Sequence, residues 1–126
     1  MIYCAGMAPS RKWTGSERLA LKMPNRQVFV MVGEIDWIES ERNYVRVHAG
    51  DRSFTVRATL SELENRLAGS MFVRIQRSSI INAERVEEIR RVGRDYEVVL
   101  RGGTTRLMVG RPYVARLEAA LGEICA

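Results

Sequence analysis

The chain has 126 residues, of which 46% are apolar and 28% are charged, and its net charge is +5 at neutral pH. This length suits one domain, and neither percentage indicates disorder. The longest unbroken apolar run covers residues 28–32, which is far shorter than the roughly 20 residues of a membrane span. The N-terminus lacks a basic start followed by an apolar stretch, and Cys4 and Cys125 have no metal-binding spacing. We therefore expect a cytoplasmic protein that does not interact with membranes.

The first part of the chain differs in pattern from the rest. Residues 1–26 show no steady periodicity and are predicted to be a leader or arm, in which the alternation of Leu19 and Leu21 is compatible with a short strand. Residues 27–126 are predicted to form the domain. The predicted strands cover residues 27–32, 36–39, 44–48, 53–57, 72–75, 79–81, a weaker stretch at 86–89, and then 96–101 and 104–109.

Two helices interrupt or follow these strands. A capping box of Thr59 and Glu62 predicts the start of a short helix, which Gly69 ends. Pro112 suits the first position of a terminal helix, whose apolar face would span residues 114–124. We therefore predict a mostly β fold with one short internal helix and a C-terminal helix.

Arginine dominates the basic residues, because Lys12 and Lys22 are the only lysines among twenty basic side chains. The planar guanidinium suits phosphates and guanine edges, although a GC-rich genome would also raise the arginine content. The positive excess is confined to three stretches, which are residues 40–58 (+2), 70–82 (+2) and 101–116 (+4), whereas residues 59–69 and 83–100 are each −1. A fold that brings the three stretches to one face would create a nucleic-acid-binding surface.

Three polar corners lie in or beside these stretches. The first lies between two predicted strands, the second interrupts an apolar run, and the third precedes Pro112. Glutamine can pair with adenine, arginine with guanine, and serine with a phosphate. Each corner could instead be an ordinary solvated turn. In the first corner, Tyr44 would then be packed in the core. The candidate DNA-binding residues are Arg42, Asn43, Tyr44, Arg46, Gln76, Arg77, Ser78 and Arg111.

The sequence offers little for catalysis. His48 is the only histidine, and no cluster of cysteine or acidic residues gives it metal-ligand spacing. A triad of His48 with Asp51 and either Ser78 or Ser79 would lack an elbow such as GxSxG. No phosphate-binding loop of the GxxxxGK[ST] or GxGxxG type is present. We therefore expect no enzyme activity, no metal site and no cofactor.

The order of many separated positions carries a family resemblance. The matching residues are Ile35-Asp36-Trp37-Ile38-Glu39, Asn43-Tyr44-Val45, Thr59-Leu60, Leu63-Glu64, Phe72-Val73-Arg74-Ile75-Gln76-Arg77-Ser78, Ile81-Asn82, Val86, Ile89 and Arg111. Over roughly residues 27–121, this pattern resembles the LytTR-type DNA-binding domain of bacterial response regulators. The resemblance implies an elongated β domain whose loops enter successive major grooves of double-stranded promoter DNA.

The resemblance also implies a set of contacts and an assembly. Base contacts would come from the loop at Arg42–Tyr44, from Gln76–Ser78 and from Arg111, with two copies, as a homodimer on DNA, at direct repeats. The sequence departs from the family at Gln76, where histidine is common, and at Gly110, where serine is common. Only about 26 residues precede the domain, so the sequence is expected to be a stand-alone regulator or a fragment of a longer one.

Two other functions remain open. The domain could be a protein-interaction module that sequesters another transcription regulator, with its arginines facing an acidic partner. Binding of RNA or single strands is disfavoured, because the chain has only two Trp, four Tyr and three Phe as stacking platforms.

Overall fold

The computed structural model describes residues 17–122, which form ten β-strands, two α-helices and three short 3₁₀ helices. The strands are β1 (Arg18–Met23), β2 (Arg26–Met31), β3 (Trp37–Glu41), β4 (Tyr44–Ala49), β5 (Arg52–Arg57), β6 (Phe72–Gln76), β7 (Ser79–Asn82), β8 (Val86–Val92), β9 (Asp95–Leu100) and β10 (Arg106–Val109). The α-helices are α1 (Leu60–Arg66) and α2 (Val114–Leu121), and the 3₁₀ helices cover Val32–Glu34, Ala83–Arg85 and Arg111–Tyr113. The predicted mostly β fold with two helices is confirmed.

The strands of the described chain form three antiparallel sheets. β1 and β2 form a hairpin, five strands follow the order β5-β4-β3-β7-β6, and three follow the order β10-β9-β8. Because β7 pairs with β3, the chain leaves the larger sheet after β5, passes through α1 and returns on the other side of β3. The β3–β4 and β6–β7 turns therefore lie at the same end of this sheet.

Two hydrophobic cores lie on opposite faces of the five-stranded sheet. Consecutive side chains of a strand point to opposite faces, so Ile80 belongs to the core beneath the β1–β2 hairpin and α1, whereas Ile81 belongs to the core beneath the three-stranded sheet and α2. All four residues of β7 are buried as a result. The buried Asn82 amide donates to Ile35 O at 2.8 Å and its carbonyl accepts from Glu84 N at 2.9 Å, so Asn82 caps the 3₁₀ helix at Ala83–Arg85.

The start of α1 follows the predicted capping box. Glu62 N donates to the Thr59 hydroxyl at 3.1 Å, and Thr59 N donates to the Glu62 carboxylate at 2.7 Å. The hydrogen bonds from the Thr59 backbone and side chain hold the pKa of the Glu62 carboxyl below its ordinary value. This cap fixes the first turn of the helix that carries Glu64.

Some element boundaries differ from the prediction. Pro112 lies in a 3₁₀ helix, and α2 begins two residues later at Val114. A proline ring suits the first turn of either kind of helix, so the sequence alone does not separate them. The weak stretch at residues 86–89 is part of a seven-residue strand, because pairing with β9 supplies the backbone hydrogen bonds. Ile124, predicted to belong to the terminal helix, lies outside the described residues.

The predicted leader is partly folded against the domain. Residues 18–23 form β1, which pairs with β2, and Leu19 and Leu21 are buried in the first core. The short strand expected there is therefore present. The division into leader and domain at residue 27 stays a prediction, and residues 1–16 lie outside the described part of the chain. No helix within residues 17–122 is long and apolar enough to cross a membrane.

Candidate nucleic-acid interface

Four connections meet at one end of the molecule, which we call the basic end. They are the β3–β4 turn (Arg42–Asn43), the β6–β7 turn (Arg77–Ser78), the β8–β9 turn (Gly93–Arg94) and the segment after β10 (Gly110–Arg111). Three contacts join them: Ser40 N donates to Ser78 O at 3.0 Å, Gly110 N donates to Ile75 O at 2.7 Å, and Arg111 lies 3.3 Å from Asp95. The three corners singled out in the sequence are therefore brought together.

The first corner is a two-residue turn between β3 and β4. Arg42 has a φ of 61°, the only positive φ of a non-glycine residue among those described. This left-handed conformation costs an arginine roughly 1–2 kcal/mol. Arg42 and Asn43 are exposed, and Tyr44 is 44% exposed rather than packed in the core. All three side chains are therefore open to a ligand.

The second corner is the turn between β6 and β7. Arg77 and Ser78 are exposed, whereas Gln76 is half-buried. The Gln76 side-chain amide donates to Met108 O on β10, and its carbonyl oxygen lies 3.5 Å from the Ser78 hydroxyl. One of the two N–H groups of the Gln76 amide is thus bound inside the protein, and the second N–H and the carbonyl oxygen remain for an outside partner.

The third corner adjoins the second across a groove of about 640 Å³. Arg111 is 74% exposed, and its Nε donates to Asp95 Oδ1 at 3.3 Å, so its two terminal nitrogens remain available. At Gly110, an added Cβ would lie 3.2 Å from the Tyr113 ring. A serine at this position would therefore require Tyr113 to shift. The lining of the groove is Gln76, Arg77, Asp95, Met108, Val109, Gly110, Arg111, Pro112 and Tyr113.

The β8–β9 turn is a fourth corner that charge counting along the chain missed. Arg91 and Arg94 are both exposed at this turn, where Gly93 has a φ of 63°. The net charge of segment 83–100 is −1 because the count includes acidic residues such as Glu87 that lie away from the turn. Their charge masks the arginines of the turn. Counting charge turn by turn, with the glycine as the turn marker, would have found this corner.

Not every residue of the basic stretches reaches the basic end. Arg46 lies on the face of β4 opposite the first core and is 3.0 Å from Glu41, so its charge is partly compensated. Arg52 and Arg101 lie at the opposite end, beside the β4–β5 and β9–β10 turns. The expectation that the three stretches converge is therefore correct for their corners but not for all of their arginines.

The geometry around His48 is that of a structural pair. Its Nε2 lies 2.6 Å from Glu39 Oε2, and its ring stacks on Trp37 with centroids 4.5 Å apart. Asp51 lies in the β4–β5 turn, at the opposite end from Ser78, so the triad considered in the sequence is not assembled. Within residues 17–122, no group of three or more His, Cys, Asp or Glu side chains could hold a metal ion.

The basic end has little compensating negative charge. Among the described carboxylates, none forms an ion pair with Arg42, Arg77 or Arg94. Unpaired guanidinium groups on exposed turns attract polyanions and fit phosphate and base edges. An antiparallel β domain that presents such turns at one end has the features of a DNA-binding domain.

Comparison with known proteins agrees with this class. A model of the LytTr DNA-binding domain family matches residues 25–122, and the chain therefore belongs to this family. Membership makes it a DNA-binding domain of the type found in transcription regulators. The resemblance inferred from the sequence is confirmed. A solved LytTr DNA-binding domain from Bacillus cereus has the same fold, with a TM-score of 0.73 and 23% identity, and covers 86% of this chain and 100% of its own.

Curated relatives extend the comparison to longer proteins. The sensory transduction protein LytT of Bacillus subtilis is 32% identical over 108 residues, which are 85% of this chain and 44% of that protein. The sensory transduction protein LytR of Streptococcus agalactiae is 28% identical and covers 83% of this chain and 43% of its own length. The transcriptional regulatory protein LytR of Staphylococcus aureus is 28% identical over 68% of this chain and 35% of its own. The chain thus spans less than half the length of these relatives.

Proposed function

We propose that the basic end binds double-stranded promoter DNA sequence-specifically, with its turns in the major groove, and that the chain regulates bacterial transcription. The observation that supports this most directly is the meeting of Arg42, Arg77 and Arg111 at one end, although they are far apart in the sequence. The names of the relatives, which include a transcriptional regulatory protein and sensory transduction proteins, support the regulatory role.

Arg77 and Arg111 are the proposed base readers. Each is exposed, and a guanidinium fork can donate two hydrogen bonds to the O6 and N7 atoms of one guanine. The Asp95 carboxylate holds the Nε side of Arg111, so the terminal nitrogens are the ones available for a base. One N–H of the Gln76 amide is bound to Met108 O, and we assign its carbonyl oxygen to the amino group of an adenine or a cytosine.

The remaining candidates are assigned to the DNA backbone or to neighbouring bases. Asn43 has a free amide at the tip of the first corner, while Arg42, Tyr44 and Ser78 carry donors that suit phosphates. Arg46 lies outside the corner itself, but its partner Glu41 directly precedes Arg42, and we propose that Arg46 exchanges Glu41 for a phosphate. Arg94 on the fourth corner extends the same positive surface beside Arg111. We further propose that two copies bind direct repeats, with contacts between the copies formed on DNA.

Selection from a pool of random duplexes tests the proposal. The chain is used to enrich bound sequences, and mobility shifts then compare the enriched duplex with a scrambled one of equal length at two salt concentrations. We expect the enriched duplex to bind at least roughly a thousandfold more tightly. A repeated motif in the enriched pool would support paired copies.

Two outcomes would contradict the proposal in different ways. Equal affinity for enriched and scrambled duplexes would reduce the chain to a non-specific polyanion binder. No shift of any duplex at low salt would remove DNA binding by this chain altogether. The second outcome would favour the protein-interaction module, whose arginines would face an acidic partner.

A further inference from the structure

One arginine of the second basic stretch is turned inward. Arg74 lies on β6 just before the second corner, and its side chain is only 15% exposed. Its Nε donates to Gln76 O at 3.2 Å, and one terminal nitrogen donates to Arg77 O. The other terminal nitrogen lies 3.0 Å from Glu64 Oε1 on α1. All three nitrogens of the Arg74 guanidinium therefore have hydrogen-bond partners within the protein.

These bonds act where the sheet itself gives the turn little support. The β6–β7 pairing shifts register between Arg74 and Gln76, so the regular ladder is interrupted just before the turn. An interrupted ladder fixes the following peptide units less well than a continuous one. The guanidinium instead binds the carbonyl oxygens of Gln76 and Arg77, which orients the two peptide groups that carry these side chains.

Glu64 connects the Arg74 contacts to the third corner. Its second carboxylate oxygen lies 3.3 Å from an Arg116 nitrogen on α2, and the Arg116 guanidinium lies 5.2 Å from the centre of the Tyr113 ring. Tyr113 belongs to the same 3₁₀ helix as Arg111. One carboxylate on α1 therefore contacts the supports of both proposed base-reading corners.

We propose that Arg74, held by Glu64, is a positioning residue that presets the turn at Gln76–Ser78 for base reading without contacting DNA itself. This inference rests on the proposed function. A DNA-contacting arginine needs free donors, whereas those of Arg74 are bound to carbonyls and to a carboxylate inside the protein. Sites of recognition require such support, because a loosely held side chain loses the geometry that distinguishes one base from another.

The test uses charge-preserving and charge-removing variants of Arg74, with Arg66 as the matched control. Arg66 also donates to a backbone carbonyl, that of Ala20, but far from the second corner. Affinities for the enriched and scrambled duplexes are measured across salt concentrations for Arg74→Lys, Arg74→Gln and Arg66→Lys. We expect Arg74→Lys to lower the enriched-to-scrambled ratio by about tenfold, because lysine keeps the charge but loses the planar fork. Arg66→Lys should leave the ratio unchanged.

The salt dependence separates positioning from contact. If Arg74 does not touch phosphate, Arg74→Gln leaves the slope of log affinity against log salt unchanged, whereas loss of a phosphate contact lowers the slope by about 1. A lowered slope, or equal weakening on both duplexes, would overturn the proposal. An unchanged enriched-to-scrambled ratio in Arg74→Lys would overturn it as well.

A variant of Glu64 and a measurement without DNA show whether a lower ratio comes from the turn or from general unfolding. Glu64→Gln removes the charge that holds Arg74, and we expect a smaller fall of the ratio in the same direction. Amide hydrogen exchange should accelerate at residues 76–79 in Arg74→Lys and in Glu64→Gln, and it should stay unchanged in β4. Unchanged exchange at residues 76–79 would show, without any DNA, that the Arg74 contacts do not hold this turn. Failure of the wild-type chain to select any sequence would instead reject the proposed function.

Discussion

The two ends of the molecule both present arginines, but these arginines have different partners. At the end opposite the basic end, Arg52 lies 3.5 Å from Glu34, and Arg85 lies 3.5 Å from Asp36. At the basic end, neither Arg42 nor Arg77 forms an ion pair with any carboxylate of the described residues. The number of arginines therefore does not distinguish the two ends, whereas the ion pairs of Arg52 and Arg85 do.

The difference has a structural origin. The opposite end joins the 3₁₀ helices at Val32–Glu34 and Ala83–Arg85 to the β4–β5 turn, and the Asp36 carboxylate accepts from Gly50 N at 2.9 Å. These ionic contacts hold three connections together. The turns of the basic end are held by strand pairing and, at the β6–β7 turn, by the hydrogen bonds of Arg74. Among the described carboxylates, only Asp95 pairs with an arginine of these turns, Arg111.

The largest effects are expected at the base-reading corners. Arg77→Ala or Arg111→Ala should weaken binding to the enriched duplex by about 1–3 kcal/mol and relax the base preference at one position. Mobility-shift titration of enriched and singly substituted duplexes measures both effects. Arg52→Ala at the opposite end is the control and should change neither. Equal losses for the two ends would show that total charge, rather than the free corners, governs binding.

The converse effect is expected at the opposite end. Arg85→Ala removes the ion pair with Asp36 and the hydrogen bond to Gly33 O, and both partners are at least partly buried. We expect the free energy of unfolding to fall by about 1–2 kcal/mol, measured by urea titration. The affinity of the folded variant for the enriched duplex should stay unchanged. A loss of affinity without a loss of stability would place Arg85 in the interface.

A smaller effect on stability is expected at the N-terminus of α1. Thr59→Ala should reduce the free energy of unfolding by about 1 kcal/mol, because the cap of Glu62 N is lost. Since folding lowers the pKa of Glu62, its contribution is present above the ordinary carboxyl pKa and is lost as the pH falls through the lowered value. Urea titrations at several acidic pH values measure this loss. The variant Glu62→Gln should show less of it, and an identical pH profile would contradict the assignment.

The smallest effect is expected at the fourth corner. Arg94→Ala should weaken enriched and scrambled duplexes alike, by roughly fivefold, and lower the salt slope by about 1. The matched control is Arg101→Ala, since Arg101 is an exposed arginine in a glycine-containing turn at the opposite end. A sequence-dependent loss in Arg94→Ala would mean that this corner also reads bases.

Local signals in the sequence were sufficient for most of the fold. The capping box at Thr59 and the glycine turn at 102–103 act over a few residues, so they are visible without tertiary contacts. The full length of β8 was not visible, because its hydrogen bonds come from β9. For the same reason, the sequence could not distinguish a 3₁₀ helix at Pro112 from the first turn of α2.

The candidate site was predictable in position but not in the use of each arginine. The corners at Arg42, Arg77 and Arg111 followed from charge and turn patterns, and their roles on DNA stay predictions. Arg74 added to the same charge count but bonds to the protein's own carbonyls. Arg94 was hidden because acidic residues of the same segment cancelled its charge. Which arginines have internal partners depends on contacts between distant segments.

The left-handed conformation of Arg42 lowers the stability of the fold at a residue that we propose contacts DNA. Glycine adopts this conformation without the steric penalty that an arginine incurs, so Arg42→Gly would relax the β3–β4 turn while deleting a cation from the first corner. A screen for heat resistance alone would therefore favour glycine at this position, and if Arg42 contacts DNA as we propose, the selected chains would bind DNA more weakly. On the proposed function, thermal stability and DNA affinity make opposite demands on this single residue.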